Sequence, residues 1–385
     1  MLVVVDKKNP HIEEAFRQFG TVQGCSTREI TKEVVRDADA IIIRSETKVT
    51  KDLLEGSRVK FVGTATIGTD HVDLEYLHSQ GIGFASAPGS NANSVAEYFV
   101  AAILTLAGRK GFNLSGKTLG VVGVGNVGSK IVRNARALGM RVLQNDPPLA
   151  RETGNPSFVP LDDFMEADIV TIHVPLTKAG TDPTFHLFGE ERIRKMKAGA
   201  ILINTSRGAV VDGAALKRAV EAKHLGGVIL DVWEEEPLVD VDLVRKIDIA
   251  TPHIAGYSFD GKLAAVKMTY SAACKFFGQD QHWTPGNSLP KASVDRIGVK
   301  GSFESPEEVL RKIVKQCYDI ECDSRALQSV ANVPLEERRQ FFARLRSEYR
   351  IRREFFNTIV ELPGSMSSMA GTLKTIGFRV EINKG

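Results

Sequence analysis

Apolar and polar positions along the first ninety residues alternate between short β-rich runs and stretches with helical spacing. Strands are predicted at residues 2–5, 40–44, 61–64 and 82–85, where Val and Ile are nearly continuous. Helices are predicted between them, at residues 11–19, 50–54 and 74–80. Strands separated by helices form parallel sheets, and such strands are apolar on both faces because both faces are buried. The pattern therefore predicts an α/β domain.

A longer α/β pattern follows an apolar helix predicted at residues 95–107, with Ser94 or Asn93 as its N-cap. Six strands alternate with helices here, and six is the number of strands in a complete dinucleotide-binding domain of the Rossmann type. The predicted strands cover residues 118–122, 141–144, 169–173, 200–204, 227–230 and 247–250. The predicted helices cover residues 129–138, 161–166, 190–196 and 213–222.

The character of the chain changes after about residue 285. The segment beyond it predicts a small α+β unit, with strands at 296–300, 355–362 and 379–382, and helices at 306–322, 334–353 and 365–376. The predicted organisation is a first domain of residues 1–92 and 257–285, a dinucleotide domain of residues 93–256, and a C-terminal domain of residues 286–385.

Length and composition agree with several soluble domains. A chain of 385 residues is too long for one ordinary core. Its 43% hydrophobic and 25% charged residues are typical of globular proteins, and a net charge of +3 gives no reason to expect nucleic acid or a membrane as partner. No targeting segment and no apolar run of about 18 residues is apparent. The four cysteines lack metal-type spacing, so we expect no metal and reduced thiols in a cytoplasmic protein.

A glycine-rich motif lies between the first strand and first helix of the second pattern. It consists of Gly123, Val124, Gly125, Asn126, Val127 and Gly128. The glycines permit a tight turn and close approach of the backbone to a pyrophosphate, which the helix N-terminus would bind. Asp146 ends the next strand, where the carboxylate that binds the adenosine ribose belongs. The motif predicts a dinucleotide site, and Asp146 favours NAD over NADP because it would repel a 2′-phosphate.

Three polar segments follow later strands of the same domain and contain Arg207, Glu236 and His253. Each residue alone is ordinary in a solvated turn. The carboxyl ends of strands in an open α/β sheet, however, are where ligands bind. A His is suited to accept a hydroxyl proton near neutral pH, a carboxylate would orient its ring, and a guanidinium binds a carboxylate through two bonds. The three side chains are therefore predicted to converge where the nicotinamide of the cofactor would lie.

In order and spacing these segments resemble the D-2-hydroxyacid dehydrogenase family. The glycine motif is joined by Asn-x-x-Arg-Gly at 204–208, Asp-Val-x-x-x-Glu-Pro at 231–237, and Pro-His at 252–253. The resemblance covers roughly the first 280 residues. It implies that Arg207 anchors the substrate carboxylate and carbonyl, that Glu236, directly before the proline, orients the histidine, and that His253 is the acid/base.

The resemblance also implies a Rossmann-type NAD domain with a flavodoxin-like substrate domain, and further binding residues. Val174, Asp231 and Gly256 are expected to contact the cofactor, with Asp231 bound to the nicotinamide carboxamide. Ser45, Thr66 and Tyr257 are expected to bind the substrate. The ring of His173 is expected to be structural.

Two features narrow the choice within the family. Tyr257 stands where most relatives have a small residue, and the C-terminal unit is not a simple tail. Both are similar to one member that acts on a phosphorylated 2-hydroxy acid. Many relatives have a longer arm in the region of 108–115 that contacts a partner subunit. The segment is short here, which suggests a homodimer held instead by the C-terminal unit. Arg44 or an arginine from 338–353 could bind the phosphate, although the latter cluster could equally be a solvated helix face.

Two alternatives stay open at this point. Another D-2-hydroxyacid dehydrogenase would act on 3-phosphoglycerate, glycerate or hydroxypyruvate. An NAD-sensing binding protein, like the corepressors built on the same fold, would need no catalytic histidine.

Overall fold

The computed structural model describes residues 1–286, 289–301 and 303–383. The chain divides into two compact units. The first unit consists of Met1–Ala92 and Tyr257–Lys291, and the second of Asn93–Gly256 and Ala292–Gly385. The C-terminal segment therefore shares one unit with the dinucleotide segment, whereas the sequence pattern suggested a separate domain.

The elements are numbered in chain order. The strands are β1 (Leu2–Asp6), β2 (Thr21–Cys25), β3 (Ala40–Ile43), β4 (Phe61–Thr64), β5 (Gly83–Ala85), β6 (Thr118–Val122), β7 (Arg141–Asn145), β8 (Ile169–Ile172), β9 (Ile201–Asn204), β10 (Gly227–Leu230), β11 (Ile249–Ala250), β12 (Arg296–Gly298), β13 (Ile359–Pro363) and β14 (Arg379–Asn383).

The α-helices are α1 (Ile12–Phe16), α2 (Lys32–Val35), α3 (Lys51–Leu54), α4 (Leu74–Ser79), α5 (Ala92–Lys110), α6 (Asn126–Ala137), α7 (Pro147–Thr153), α8 (Glu190–Lys195), α9 (Gly213–Glu221), α10 (Val241–Lys246), α11 (Phe259–Phe277), α12 (Pro306–Cys317), α13 (Ile320–Gln328), α14 (Arg338–Ser347) and α15 (Ala370–Ile376). Short 3-10 helices occupy Arg17–Phe19, Thr27–Glu29, Leu161–Phe164, Gly208–Val210, Ser329–Asn332, Leu335–Glu337, Phe355–Asn357 and Gly364–Met369.

The first unit contains a parallel sheet whose strands follow the order β2-β1-β3-β4-β5, which is the order of flavodoxin. Strand β2 was not predicted from the sequence. It is an edge strand whose exposure alternates along its length, and it contains Gly24 in place of a Val or Ile run. Pairing with β1 therefore decides its conformation more than its own composition does. Tyr270 of α11 packs with Phe16 and Phe61 in the core of this unit.

The second unit contains a parallel sheet in the order β7-β6-β8-β9-β10-β11. An isolated parallel bridge joins Phe158 to Gln144 on the outer side of β7. Counting that bridge as a strand reproduces the Rossmann order 3-2-1-4-5-6, extended by one short strand. The direction of the chain across the sheet reverses between β6 and β8, and such switch points are where dinucleotides bind.

Helix α5 differs from its prediction at its N-terminus. The helix begins at Ala92, so Ser94 and Asn93 lie inside its first turn and neither is the N-cap. The Ser94 hydroxyl instead donates to the carbonyl of Ala255, 2.9 Å away. The predicted N-cap was therefore wrong because a distant backbone group, not the helix itself, uses this hydroxyl.

The C-terminal segment forms a three-stranded parallel sheet, β12-β13-β14. The helix predicted at 306–322 is interrupted at Tyr318, and the one predicted at 334–353 covers only α14. Tyr318 and Val360 of this segment are buried in one cluster with Tyr98 and Leu106 of α5. The dinucleotide segment and the C-terminal segment thus complete a shared core.

Within the described ranges, no helix is both long and apolar enough to cross a membrane. The same residues contain no group of His, Cys, Asp and Glu side chains that could hold a metal ion.

Candidate active site

The glycine-rich turn joins β6 to α6 at the switch point of the second sheet. Gly123 has φ 85°, a left-handed conformation that glycine adopts without steric cost. A Cβ at Gly128 would lie 1.9 Å from the Gly123 carbonyl oxygen, so only glycine permits this approach. Helix α6 begins at Asn126, after Gly125, and no described side chain caps it. The N–H groups of its first turn, which include Val127, are therefore suited to bind a phosphate.

Asp146 follows β7 and lies against this turn. Its Oδ2 accepts a hydrogen bond from Val124 N at 2.8 Å, and its Oδ1 accepts one from Leu149 N at 3.1 Å. A carboxylate has about four acceptor positions, so both oxygens retain capacity for hydroxyl donors. The structure thus places this acid beside the glycine turn, as ribose binding requires.

The residues after β8 lie on the other side of the turn. A Cβ built at Gly123 would be 2.9 Å from Cγ1 of Val174, so Val174 is in direct proximity to the motif. The His173 ring is hydrogen-bonded to Thr171 at 2.8 Å and to Thr205 at 3.2 Å. Burial lowers the pKa of His173 to about 3, so this ring is neutral.

The turn that carries Arg207 follows β9 and is organised by the buried amide of Asn204. The Asn204 Oδ1 accepts from Ser206 N at 3.0 Å, and its Nδ2 donates to the Arg207 carbonyl at 2.9 Å. The half-buried guanidinium of Arg207 donates to the Ser206 carbonyl at 2.9 Å. These bonds fix the backbone from which Arg207 projects.

Glu236 and His253 form a direct hydrogen bond, with Glu236 Oε2 2.8 Å from His253 Nδ1. The other Glu236 oxygen accepts from Trp233 N at 2.9 Å. Because a carboxylate only accepts, the ring proton lies on Nδ1 and Nε2 is left as the proton acceptor. Neighbouring Glu234 instead binds His186 and Gly213, so only Glu236 is paired with His253.

The charge state of Glu236 follows from its surroundings. Burial raises the pKa of Glu236, but the charge of His253 and the hydrogen bonds from His253 and Trp233 outweigh it and lower the pKa overall. The positive charge of Arg346, in α14 of the C-terminal segment, lowers the pKa of Glu236 further. Glu236 is therefore a carboxylate at neutral pH, and one of the C-terminal arginines acts on it electrostatically.

Asp231 holds the turn at residues 251–256, which carries His253 and ends at Gly256. It is 1% exposed. Its carboxylate accepts from Ile254 N at 2.8 Å, from Ala255 N at 2.9 Å and from the Thr251 hydroxyl at 2.6 Å. Its carbonyl accepts from His253 N at 2.7 Å. The sequence indicated only a contact with the cofactor, because the partners of a buried acid are not visible in its local pattern.

The predicted substrate residues all lie in the first unit, next to the ends of strands or at the start of α11. Ser45 is exposed in the turn after β3. Thr66, after β4, is hydrogen-bonded to the Thr64 hydroxyl at 2.7 Å and donates to the Gly68 carbonyl at 3.1 Å. Tyr257 comes just before α11, and its ring centroid is 4.7 Å from Nζ of Lys262.

Lys262 was not identified from the sequence. It is half-buried near the N-terminus of α11, and burial together with the positive charge of Arg44 lowers the pKa of Lys262 to about 8. Arg44 directly precedes Ser45, and its Nη2 is 3.8 Å from Glu46 Oε1. No carboxylate of the described residues forms an ion pair with Lys262. A half-buried lysine that is also influenced by a second cation is a favourable environment for an anion. No sequence motif marks Lys262, because its neighbours come from distant strands.

Family models match two parts of the chain. The family model for the NAD binding domain of D-isomer specific 2-hydroxyacid dehydrogenases matches residues 95–255, which confirms the predicted NAD domain. A model for a domain of unknown function matches residues 288–377.

Solved structures show the same fold. The D-lactate dehydrogenase of Aquifex aeolicus, complexed with NAD and lactic acid, is 30% identical with a TM-score of 0.61, over 72% of this chain and 96% of that one. The NAD-bound 3-phosphoglycerate dehydrogenase of Entamoeba histolytica is 28% identical with a TM-score of 0.62, over 72% and 95%. They confirm the predicted α/β fold class.

The member indicated by Tyr257 and the C-terminal unit is erythronate-4-phosphate dehydrogenase. The enzyme of that name from Salinibacter ruber is 46% identical over 91% of this chain and 92% of its own length. Those from Cronobacter sakazakii and Marinobacter nauticus are 43% and 40% identical, and each comparison covers at least 98% of both chains. The chain therefore belongs to the erythronate-4-phosphate dehydrogenase family of D-isomer specific 2-hydroxyacid dehydrogenases.

Proposed function

We propose that this protein oxidises 4-phospho-D-erythronate to (R)-3-hydroxy-2-oxo-4-phosphooxybutanoate in the biosynthesis of pyridoxal 5′-phosphate (vitamin B6), with NAD as hydride acceptor. The observation that carries the proposal is the Glu236–His253 pair at 2.8 Å, which leaves His253 Nε2 as a proton acceptor. The relatives that are 40–46% identical over nearly the whole chain supply the substrate.

The reaction follows from the roles proposed for three side chains. His253 Nε2 accepts the proton of the C2 hydroxyl while the C2–O bond becomes a carbonyl. The Glu236 carboxylate stabilises the imidazolium that forms. The Arg207 guanidinium binds the substrate carboxylate and polarises the C2 oxygen. When bound, NAD would supply the acceptor for the hydride from C2.

The second unit provides the groups that would hold NAD. The close approach of Gly128 to Gly123 leaves room for a pyrophosphate at the N-terminus of α6, and Asp146 would bind the ribose hydroxyls. The proposed cofactor residues are Gly123, Gly125, Asn126, Val127, Gly128, Asp146, Val174, Asp231 and Gly256.

The first unit provides the proposed substrate-binding groups, Ser45, Thr66 and Tyr257. A phosphorylated substrate carries a dianion that requires cations. We assign the phosphate to Arg44 and Lys262, because Lys262 is half-buried, next to another cation, and without an acidic partner among the described residues.

The proposed function is tested by a spectrophotometric assay of NAD reduction. We expect turnover with 4-phospho-D-erythronate, with kcat/KM higher than for 3-phosphoglycerate or D-glycerate, and a clear preference for NAD over NADP. A higher kcat/KM for either of the other two acids would identify a different substrate. Binding of NAD without turnover of any acid would indicate a sensing protein, and equal use of NADP would contradict the role of Asp146.

We also propose that the protein is a cytoplasmic homodimer. None of the four cysteines forms a disulfide, as is usual in the cytoplasm, and cell fractionation tests that location. The C-terminal segment exposes large apolar side chains within residues 335–356. Leu335 and Ile351 are each 63% exposed, and Phe356 is 45% exposed. Exposed apolar groups of this size are common at interfaces between subunits.

Substitution of these apolar residues tests the dimer. We expect Ile351→Glu combined with Phe356→Glu to convert a dimer into a monomer in sedimentation velocity, because two buried carboxylates would oppose association. Met268→Glu, an exposed position on α11, is the matched control and should leave the dimer intact. Removal of the whole C-terminal segment is unsuitable, because it would expose the shared core around α5. An unchanged sedimentation coefficient in the double variant would place the interface elsewhere.

A further inference from the structure

His253 has an unusual backbone conformation. Its φ is 57°, in the left-handed region that residues other than glycine rarely adopt. Such a conformation persists only where surrounding groups hold it in place. The groups that hold the turn at 251–256 therefore decide where the imidazole points.

Helix α5 supports this turn at two points. Ser94 and Tyr98 lie one helical turn apart and thus on one face of α5. The Ser94 hydroxyl donates to the Ala255 carbonyl at 2.9 Å. The Tyr98 hydroxyl is 2.7 Å from the Thr251 hydroxyl, which itself donates to Asp231. Both ends of the turn are therefore attached to the same face of α5.

The C-terminal segment in turn holds that face of α5 through Arg352. Arg352 is buried, donates through Nη2 to the Ser94 hydroxyl, and donates through Nη1 to Glu97 Oε2 at 2.8 Å. Its guanidinium lies 4.4 Å from the ring centroid of Tyr318, and the Tyr318 ring meets the Tyr98 ring edge-on at 6.3 Å. Ser94 and Tyr98 are the two residues of α5 that support the turn. Arg352 thus contacts Ser94 directly and reaches Tyr98 through Tyr318.

We propose that Arg352 is a positioning residue for His253, acting through Ser94 of α5 and the Ala255 carbonyl. This inference rests on the proposed role of His253 as the base. It assigns a part in catalysis to the segment that matches a domain of unknown function. Because the Ser94 hydroxyl has one proton, which it gives to Ala255, the bond from Arg352 fixes the direction of that donation.

If the hydrogen bonds from Arg352 to Ser94 and from Ser94 to Ala255 had only a structural role, they would stabilise the fold without affecting the orientation of the His253 imidazole. The two possibilities differ in one measurable respect. If Ser94 acts through His253, its removal costs turnover only when His253 is present. If it supports only the fold, the loss is the same with or without His253.

The experiment is a double-mutant cycle measured in the full chain. We expect Ser94→Ala to lower kcat about 10-fold with the KM for NAD unchanged, since misplacement of a catalytic group by a fraction of an ångström is sufficient. In the His253→Ala background the same substitution should cause no further loss. Thr358→Ala is the matched control, because Thr358 is equally buried and its hydroxyl donates at 2.6 Å to Val294 within the C-terminal segment. It should leave kcat unchanged.

Further variants separate the possible outcomes. Arg352→Met would remove the cation that pairs with the buried Glu97 and leave that side chain the hydrogen bond from Phe355 N at 2.7 Å. Because this loss of a charge partner could by itself destabilise the fold, Ser94→Ala is the primary variant and Tyr98→Phe the second, with the same readout. An unchanged kcat in both, or an equal loss in the His253→Ala background, would overturn the inference. A normal kcat in the His253→Ala protein itself would instead overturn the proposed function.

Discussion

Replacement of His253 by alanine should lower kcat by about 10²-fold or more, because general acid/base catalysis contributes ~10²–10⁴. The affinity for NAD should be unchanged, since the proposed cofactor residues keep their own hydrogen bonds. Steady-state kinetics and NAD titration by fluorescence measure the two quantities separately. His224→Ala is the matched control. The half-buried His224 ring belongs to the same unit and, among the described residues, forms its hydrogen bond with the Ile193 carbonyl at 3.1 Å, so its loss should leave kcat near the normal value.

Replacement of Glu236 by glutamine provides an independent test of the same pair. Burial raises the pKa of Glu236, but the charge of His253 and the hydrogen bonds from His253 and Trp233 lower it overall, so the side chain is present as a carboxylate that can stabilise the imidazolium formed during oxidation. In Glu236→Gln the imidazolium loses that anionic partner, so steady-state kinetics should show a lower kcat. Near-normal turnover in the His253 variant or in Glu236→Gln would contradict the assignment.

Lys262→Met should raise the KM for 4-phospho-D-erythronate about 10–100-fold. Hydrogen bonds to charged groups are worth ~1.5–3 kcal/mol, and each 1.4 kcal/mol corresponds to about a factor of ten. The KM for unphosphorylated D-erythronate should stay the same, because that acid has no group for Lys262 to bind. Methionine keeps the apolar stem that packs beside Tyr257, so the substitution removes mainly the charge.

The control for Lys262 lies on the same helix. Lys267 is exposed on α11, and Lys267→Met should leave both KM values unchanged.

Since the pKa of Lys262 is about 8 in the free protein, the KM for the phosphorylated acid should also rise as the pH increases above that value. The Lys262→Met protein should lack this rise. A ratio of the two KM values that is the same in Lys262→Met and in the unmodified chain would show that the phosphate is bound elsewhere.

Local sequence determined the parallel sheets, the glycine turn and the segments that carry Arg207, Glu236 and His253. Runs of Val and Ile report burial on both faces, and glycine reports a backbone position that other residues cannot adopt. These signals are contained in a few consecutive residues, so they can be recognised without knowledge of the fold. The edge strand β2 lacks an apolar run, so its sequence carries no such signal. It forms because it pairs with β1 in the folded chain.

Tertiary structure alone decided which distant groups become neighbours. The sequence suggested an N-cap at Ser94 and a separate C-terminal domain, yet Ser94 lies between Arg352 and Ala255 within a core shared by both segments. Lys262 has no motif, and its pKa is lowered by burial and by the charge of Arg44, more than two hundred residues earlier in the chain. Burial makes such contacts decisive, because a buried charge or hydroxyl must find a partner, and only the folded chain determines which partner is within reach.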